Sequence, residues 1–397
     1  MRRNRGARAG VAGRRTGVSG RAKLGVVFAG GGTGGHIQPN LAIAEALAER
    51  MPGFVRGTFV ISDRPIDQRV LEGEQIDGLE FDSVVSPAKP MTLRPRAFLR
   101  FITNWGGSVR VGRNAIRSLR EMCDTVVVVS TGGFVSPGVA QAARVEGVAL
   151  IMLNLDAVPG KANRLMQRWA TVLLSSARVD DARFERVGPV VRRRLIDLPD
   201  RANALAHFGL DANRKTLLVT GGSQGAMSVN RFVIAAITAA GEKFDRQAWQ
   251  VIHQCGPSGE DELVRAYADL GVRAHVAGYL PRMELALSAA DACVCRGGAG
   301  AIADLWAARL PALVLPYPGH RDEHQKVNAR ELSEAGCVVI GTDRAEPRAN
   351  VAANQGHFEA ILDDSSRRRM SVAFEELGLT DGAERVAARV IEIAGCG

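Results

Sequence analysis

Leu24-Gly-Val-Val-Phe-Ala29 runs directly into Gly30-Gly-Gly-Thr-Gly-Gly35-His36, and then into Ile37-Gln-Pro-Asn-Leu-Ala-Ile-Ala-Glu-Ala-Leu47. The first six residues are an apolar run of strand length. Glycines with a single Thr33 follow. From Pro39 on, apolar residues recur at Leu41, Ala44, Leu47 and Ala48, which is helical spacing. Pro39 suits a first helical turn, where its missing N–H is not needed. The stretch predicts a strand, a glycine loop and a helix. Glycine lets the backbone approach a ligand and take up positive φ, and the free N–H groups at a helix start favour an anion, most often a phosphate. Gly30-x-Gly32-x-x-Gly35 fits the dinucleotide pattern, although a tight turn without a ligand reads the same way. No Gly-Lys-Ser/Thr follows, so the loop is not a nucleotide-hydrolysing P-loop.

The same alternation continues outward. Gly57–Ser62 reads as a second strand and residues 78–93 as irregular. Thr125–Ser130 reads as a buried strand running into Thr131-Gly-Gly-Phe-Val-Ser136 and a helix. Val148–Leu153 is the next strand, ending at Asn154-Leu-Asp156, and Thr171–Ser176 follows. Strands alternating with helices imply a parallel, doubly wound sheet, whose ligands bind beyond the carboxyl ends of its strands. The glycine loop, Thr131–Ser136 and Asn154–Asp156 are therefore expected to face one crevice. Residues 188–214 read as a linker. The opening pattern then recurs as Thr216–Thr220, Gly221-Gly-Ser-Gln-Gly225 and a helix from about Ala226. Further strands are expected at 248–254, 273–278, 291–295 and 311–316, and Arg296-Gly-Gly-Ala-Gly-Ala-Ile-Ala-Asp304 is another glycine turn opening a helix. Asp381-x-x-Glu384 fits a capping box before a final helix carrying Ala383, Val386, Ala387, Val390 and Ile391. The expected boundaries are a tail over 1–23, domains over 24–190 and 191–375, and a helix within 376–397 that packs back on the first domain.

The 397 residues exceed one ordinary core, so two domains are the default. The net charge of +9 is local: Arg2, Arg3, Arg5, Arg8, Arg14, Arg15, Arg21 and Lys23 supply eight of it, with no acid before residue 24. The remaining body is near neutral, which argues against a nucleic-acid-binding domain. The tail lacks the apolar stretch of a signal peptide and is expected to be disordered, either tethering the chain to anionic lipid or marking a start placed too far upstream. No apolar run is long enough to span a bilayer. The six cysteines form no C-x-x-C and read as reduced residues of a cytosolic protein. No Asp-x-Asp pair offers a metal site, and no cofactor is expected.

One segment invites a membrane surface. In Arg94–Trp105, Phe98, Leu99, Phe101, Ile102 and Trp105 are interleaved with Arg94, Arg96 and Arg100. A basic, aromatic, amphipathic helix can lie in a membrane interface; a helix packing its apolar side on the sheet has the same periodicity.

Gly31-Gly-Thr-Gly-Gly-His36, Gly221-Gly-Ser-Gln-Gly225, and the block from Cys295-Arg-Gly-Gly-Ala through Pro311–Pro316 to Asp322-Glu-His-Gln325 and Asn328 resemble the peptidoglycan GlcNAc transferase family commonly called MurG. The resemblance covers the chain from about Leu24 onward. It implies an α/β GT-B fold, two Rossmann-like doubly wound parallel-sheet domains with an interdomain cleft. It also implies transfer of GlcNAc from UDP-GlcNAc to the 4-hydroxyl of MurNAc in undecaprenyl-pyrophosphoryl-MurNAc-pentapeptide (lipid I), with inversion, by a peripheral enzyme at the cytoplasmic face of the plasma membrane. By motif match, Ser223 and Gln224 would meet the UDP phosphates, Leu280 the uracil through its backbone, Asp304 the ribose, and His324 and Gln325 the GlcNAc hydroxyls. Arg192 would reach the nucleotide, Ala299 would join the donor site, and Thr33, Gly34 and Gly35 would line the cleft. His36 is expected as the catalytic base or as the residue that orients it, with Asp156 contacting substrate beside it.

The chain departs from the family pattern in several places. Leu153-Asn-Leu-Asp156 stands for His-Glu-Gln-Asn and Phe134 for Tyr. Asp304 replaces Glu, His324-Gln325 replaces a Gln pair, and Gly297 replaces Ser. Alternatives to this reading are another UDP-sugar-dependent lipid glycosyltransferase such as one acting on diacylglycerol, a catalytically dead sugar-nucleotide binder, and a nicotinamide- or flavin-dependent oxidoreductase using Asp63 as the ribose acid.

Overall fold

The computed structural model describes residues 21–32, 35–90, 95–222, 225–319, 322–379 and 381–396, with backbone only for 95–99. The tail up to Gly20, Thr33, Gly34, Arg94, Ser223 and Gln224 lie outside the described residues, as do the side chains of Arg96, Phe98 and Leu99.

The first half of the chain runs β1 (Ala22–Gly31), α1 (Ile37–Arg50), β2 (Val55–Ile61), α2 (Pro65–Leu71), β3 (Leu79–Val85), α3 (Pro95–Met122), β4 (Cys123–Gly133), α4 (Ser136–Glu146), β5 (Ala149–Asn154), α5 (Lys161–Met166), β6 (Val172–Ser175) and β7 (Glu185–Arg186). The strands form one sheet in the order β3-β2-β1-β4-β5-β6-β7, parallel from β3 through β5. Leu24, Val26, Val27 and Phe28 of β1 and Val127–Val129 of β4 are buried, as expected of central parallel strands with helices on both faces.

Two expectations change here. Strand β1 begins before residue 24: Ala22 and Lys23 belong to it, and Arg21 bonds the Arg120 and Cys123 carbonyls at 2.8 Å. Residues 79–85 are a strand, not irregular. Glu80, Asp82 and Ser83 are exposed, which hides the pattern, and the ladder from Leu79–Val55 to Val85–Ile61 makes this edge strand. The amphipathic segment opens a 28-residue helix whose later part buries Ser108, Ala115, Ile116 and Leu119.

The second half continues with α6 (Arg193–Ile196), α7 (Arg201–His207), β8 (Lys215–Thr220), α8 (Met227–Ala240), β9 (Trp249–Gln254), α9 (Glu260–Asp269), β10 (Ala274–Ala277), α10 (Met283–Ala289), β11 (Ala292–Cys295), α11 (Ala299–Ala308), β12 (Ala312–Val314), α12 (His324–Glu334), β13 (Val338–Ile340), α13 (Pro347–Leu362), α14 (Asp364–Leu377) and α15 (Gly382–Ala394). Its sheet is wholly parallel, ordered β10-β9-β8-β11-β12-β13. The stretch expected to be a linker is folded. Asp200 caps α7 by accepting from the Asn203 N–H at 3.0 Å, and Ala204, Leu205 and Phe208 are buried. Seven residues are too few to show helical periodicity, and β13, three residues long, escaped for the same reason.

Contacts divide the chain into two compact units. Of the described residues, one holds those up to Leu153, Lys161–Leu174 and those from Ala383; the other holds those in Asn154–Gly160 and Ser175–Gly382. The final helix thus counts with the first unit, where Val386, Ala387 and Val390 are fully buried and the Glu384 carboxylate accepts from Arg50 at 2.6 Å.

Candidate functional site

In the first sheet the strand order reverses between β1 and β4, and a parallel sheet opens a crevice at such a point, beyond the carboxyl ends of its strands. Both strands end there in glycine. After a register shift, Gly30 pairs with Gly132 and Gly31 with Gly133. Gly133 sits at φ 80°, and a Cβ on it would overlap the Gly31 carbonyl oxygen. The glycine loop and the Thr131 turn are therefore brought together as expected.

His36 caps α1 at this junction. Its Nδ1 lies 2.9 Å from the Thr131 carbonyl oxygen, and Thr131 Oγ1 returns a bond to the His36 carbonyl at 2.7 Å. A carbonyl only accepts, so Nδ1 carries a hydrogen. The ring lies against the second turn, 3.0 Å from where a Gly133 Cβ would stand. Gly35 beside it is exposed. Asp63, the acid an oxidoreductase reading needs, is paired with Lys89, which holds its carboxyl below the usual range.

Asp156 stands two residues past the end of β5. By its contacts the segment 154–160 belongs to the second unit. Asn328 binds this segment: its Nδ2 donates to Asp156 Oδ1 at 2.9 Å and its Oδ1 accepts from the Ala157 N–H at 2.7 Å. Asn154 adds a bond from Nδ2 to the Asp156 carbonyl at 2.5 Å. The tie is between residues more than 170 apart in sequence, so reading along the chain misses it.

The second sheet reverses between β8 and β11, and glycine turns follow both strands. Gly222 and Gly225, flanking the undescribed Ser223 and Gln224, have φ of 80° and 71°. The Gly222 N–H donates to Thr220 Oγ1 at 3.1 Å. The same oxygen accepts from Gln254 Nε2 at 3.2 Å, and Gln254 Oε1 accepts from the Leu280 N–H at 2.9 Å. The buried Gln254 thus joins the glycine turn to Leu280, and it takes up the Leu280 N–H. Its one signal in the sequence is a polar residue at the carboxyl end of β9.

Ala299 is the first residue of α11, whose start has no side-chain cap. Asp304 lies half-buried on the same helix, and burial pushes its carboxyl up to about 7. Arg192 is buried at the start of α6. His324 donates from Nδ1 to Asp322 Oδ1 at 2.8 Å, which lowers the Asp322 pKa. Gln325 Oε1 accepts from the Tyr317 N–H at 2.9 Å.

Gly297 has a steric cause, because a Cβ there would overlap the Gln325 backbone oxygen. Gly297→Ala is therefore expected to lose about 1–3 kcal/mol of stability through overpacking, read by thermal denaturation. An unchanged melting curve contradicts this. Sequence reading also missed Arg296, which bonds Asp343 Oδ2 and Ser228 Oγ at 2.7 Å each and the Leu315 carbonyl at 2.8 Å, tying β11, α8 and the end of β12.

At the segment expected to meet a membrane, Arg100 is exposed and Ile102 is 52% exposed. Phe101 and Trp105 are half-buried with ring centroids 5.3 Å apart, and Trp105 Nε1 donates to Gln141 at 2.5 Å. Among the described residues no helix is long and apolar enough to cross a membrane.

Residues 26–175 match the glycosyltransferase family 28 N-terminal domain, and residues 216–357 match the family's C-terminal domain. A protein of Clavibacter sepedonicus is 37% identical over 375 residues, covering 91% of this chain and 94% of its own length. One of Acidothermus cellulolyticus is 35% identical over 379 residues, covering 93% and 98%. Both are named UDP-N-acetylglucosamine–N-acetylmuramyl-(pentapeptide) pyrophosphoryl-undecaprenol N-acetylglucosamine transferase. In fold the chain is similar to the crystal structure of Acinetobacter baumannii MurG, with TM-score 0.65 at 21% identity over 93% of this chain and 99% of that one. It is similar also to Phytolacca americana UGT2 complexed with UDP-2fluoro-glucose and pterostilbene, with TM-score 0.66 at 11% identity over 94% and 100%. At these identities the two structures speak for the fold, which is GT-B, while the family domains and the curated relatives speak for kinship: the chain belongs to the glycosyltransferase family 28 of UDP-GlcNAc-dependent MurG transferases.

Proposed function

We propose that the chain transfers GlcNAc from UDP-GlcNAc to the MurNAc 4-hydroxyl of lipid I, inverting the anomeric centre, at the cytoplasmic face of the plasma membrane. The observation that carries the reading is the glycine turn at the reversal point of each sheet, in a chain aligned with the named transferases over almost its whole length. Departing UDP gains negative charge, and preorganised N–H donors at helix starts stabilise such charge in place. The starts of α8 and α11, with Ser223, Gln224, Ala299 and Arg192, are the donor-phosphate side. Asp304 takes the ribose hydroxyls, and His324 and Gln325 the sugar. Leu280 meets the uracil through its carbonyl, since Gln254 holds its N–H. Thr33, Gly34 and Gly35 border the acceptor, and Asp156 contacts substrate from the segment Asn328 holds. The acceptor hydroxyl is a poor nucleophile and requires a proton acceptor; that role goes to His36 Nε2.

The test is a reaction of the purified chain with UDP-GlcNAc and a lipid I analogue, scored for disaccharide and free UDP, with diacylglycerol as a parallel acceptor. Product from lipid I supports the reading. Product from diacylglycerol alone, or from neither acceptor, overturns it.

The membrane contact is assigned to the start of α3, with Phe98, Leu99, Phe101 and Trp105 entering the interface and Arg94, Arg96 and Arg100 meeting lipid phosphates. Because Trp105 also bonds Gln141, the cleanest variant changes Phe98, Leu99 and the exposed Ile102 to Ser. Binding to anionic vesicles is expected to fall severalfold, with turnover of a water-soluble acceptor unchanged. Equal vesicle binding rejects the assignment.

A further inference from the structure

Both backbone groups of Gly32 are held by the corner between β2 and α2. Asp67, the third residue of α2, is fully buried. Its Oδ2 accepts from the Gly32 N–H at 2.7 Å, from the Ser62 N–H at 3.2 Å and from Ser62 Oγ at 2.5 Å. Arg64, which precedes α2, donates from Nη1 to the Gly32 carbonyl and lies 5.1 Å over the Phe134 ring. Neither Gly31 nor Gly32 could be anything larger. A Cβ on Gly31 would stand 2.6 Å from Asp67 Oδ2, and one on Gly32 would stand 2.5 Å from Phe134 Cε1.

A glycine turn of this kind offers its N–H groups to a bound anion. Here the Gly32 N–H faces inward, onto an anionic side chain of the protein itself. A buried carboxylate is costly unless hydrogen-bonded, and bonds to a charged acceptor are the strong ones. Asp67 therefore fixes the turn in one conformation, and His36 follows on the same turn.

We infer that Asp67 is a positioning residue of the transfer. It holds the glycine turn so that acceptor and His36 Nε2 meet at a set place, and it touches no substrate. The inference rests on assigning this turn to the acceptor and His36 to proton removal.

The test compares Asp67→Asn with the parent in the full chain, using UDP-GlcNAc and a water-soluble lipid I analogue. Asn keeps the shape but loses the charge. Expected are a kcat lower by about tenfold to a hundredfold, the range for bonds to a charged group, a higher acceptor KM and an unchanged UDP-GlcNAc KM. Backbone amides at 31, 32 and 35 should exchange faster while those of β8 and β9 keep their protection. Asp67→Asn in a His36→Ala background should add little, because residues acting through one another are non-additive. Unchanged kcat and acceptor KM overturn the inference. So does a loss shared equally by both substrates, or a loss of protection throughout the first sheet, either of which marks a general stabiliser. If His36→Ala alone leaves turnover intact, the base assignment fails, and acceptor KM and glycine-turn exchange still decide the role of Asp67.

Discussion

His36→Ala is expected to lower kcat by ~10²–10⁴, the range for loss of a positioned general base, with UDP-GlcNAc affinity kept. The geometry states which nitrogen is responsible. Nδ1 is committed to the Thr131 carbonyl, so Nε2 is the basic one. His36→Gln separates base from scaffold. It preserves a donor toward Thr131 but supplies no comparable proton acceptor, so it should fold as the parent and remain slow. Steady-state kinetics with the soluble acceptor, alongside calorimetric titration of UDP-GlcNAc, measure both quantities. If His36→Gln turns over normally, the ring serves to fasten the loop and the base lies elsewhere. Asp156→Asn loss with normal His36 variants would move the proton acceptor to the segment held by Asn328.

The second large effect belongs to Asp304. Removing a hydrogen bond between a charged group and its ligand costs roughly 1.5–3 kcal/mol, so Asp304→Ala should weaken UDP-GlcNAc binding by about tenfold or more, as should Ser223→Ala. Asp304 adds a pH signature. Its folded pKa, pushed up by burial to about 7 from an ordinary 3.8, leaves it mostly neutral at pH 6 and mostly ionised at pH 8. Ribose hydroxyls donate best to the ionised form. The affinity for UDP-GlcNAc, whose diphosphate is doubly esterified and does not titrate here, should therefore rise from pH 6 to pH 8. Asp304→Asn should flatten that rise. Stability follows the opposite sign. The folded state holds this proton more tightly than the unfolded chain, so the unliganded protein loses stability as the pH climbs from 3.8 toward 7. A pH-independent affinity in the parent, or the same rise in Asp304→Asn, removes Asp304 from the ribose.

The sequence by itself determined the two strand–glycine turn–helix units, the parallel sheets and the family. These are local properties: an apolar run of strand length, glycines in a row, and a helical period starting at once afterwards. The place of His36 at the start of α1 was legible for the same reason, since it stands at the end of its own turn. Only the tertiary structure decided what those features do to one another. Leu79–Val85 became a strand because β2 offered it a ladder. Asp156 found its partner in Asn328, 172 residues further on. Gln254, 26 residues before Leu280, took that residue's N–H, and Asp67, 35 residues beyond Gly32, supplied the anion that its N–H meets. A side chain's charge is written in the sequence. The donor it finds depends on which strands are neighbours, and here the neighbours are set by crossovers, so partners far apart in the chain are brought together by the topology.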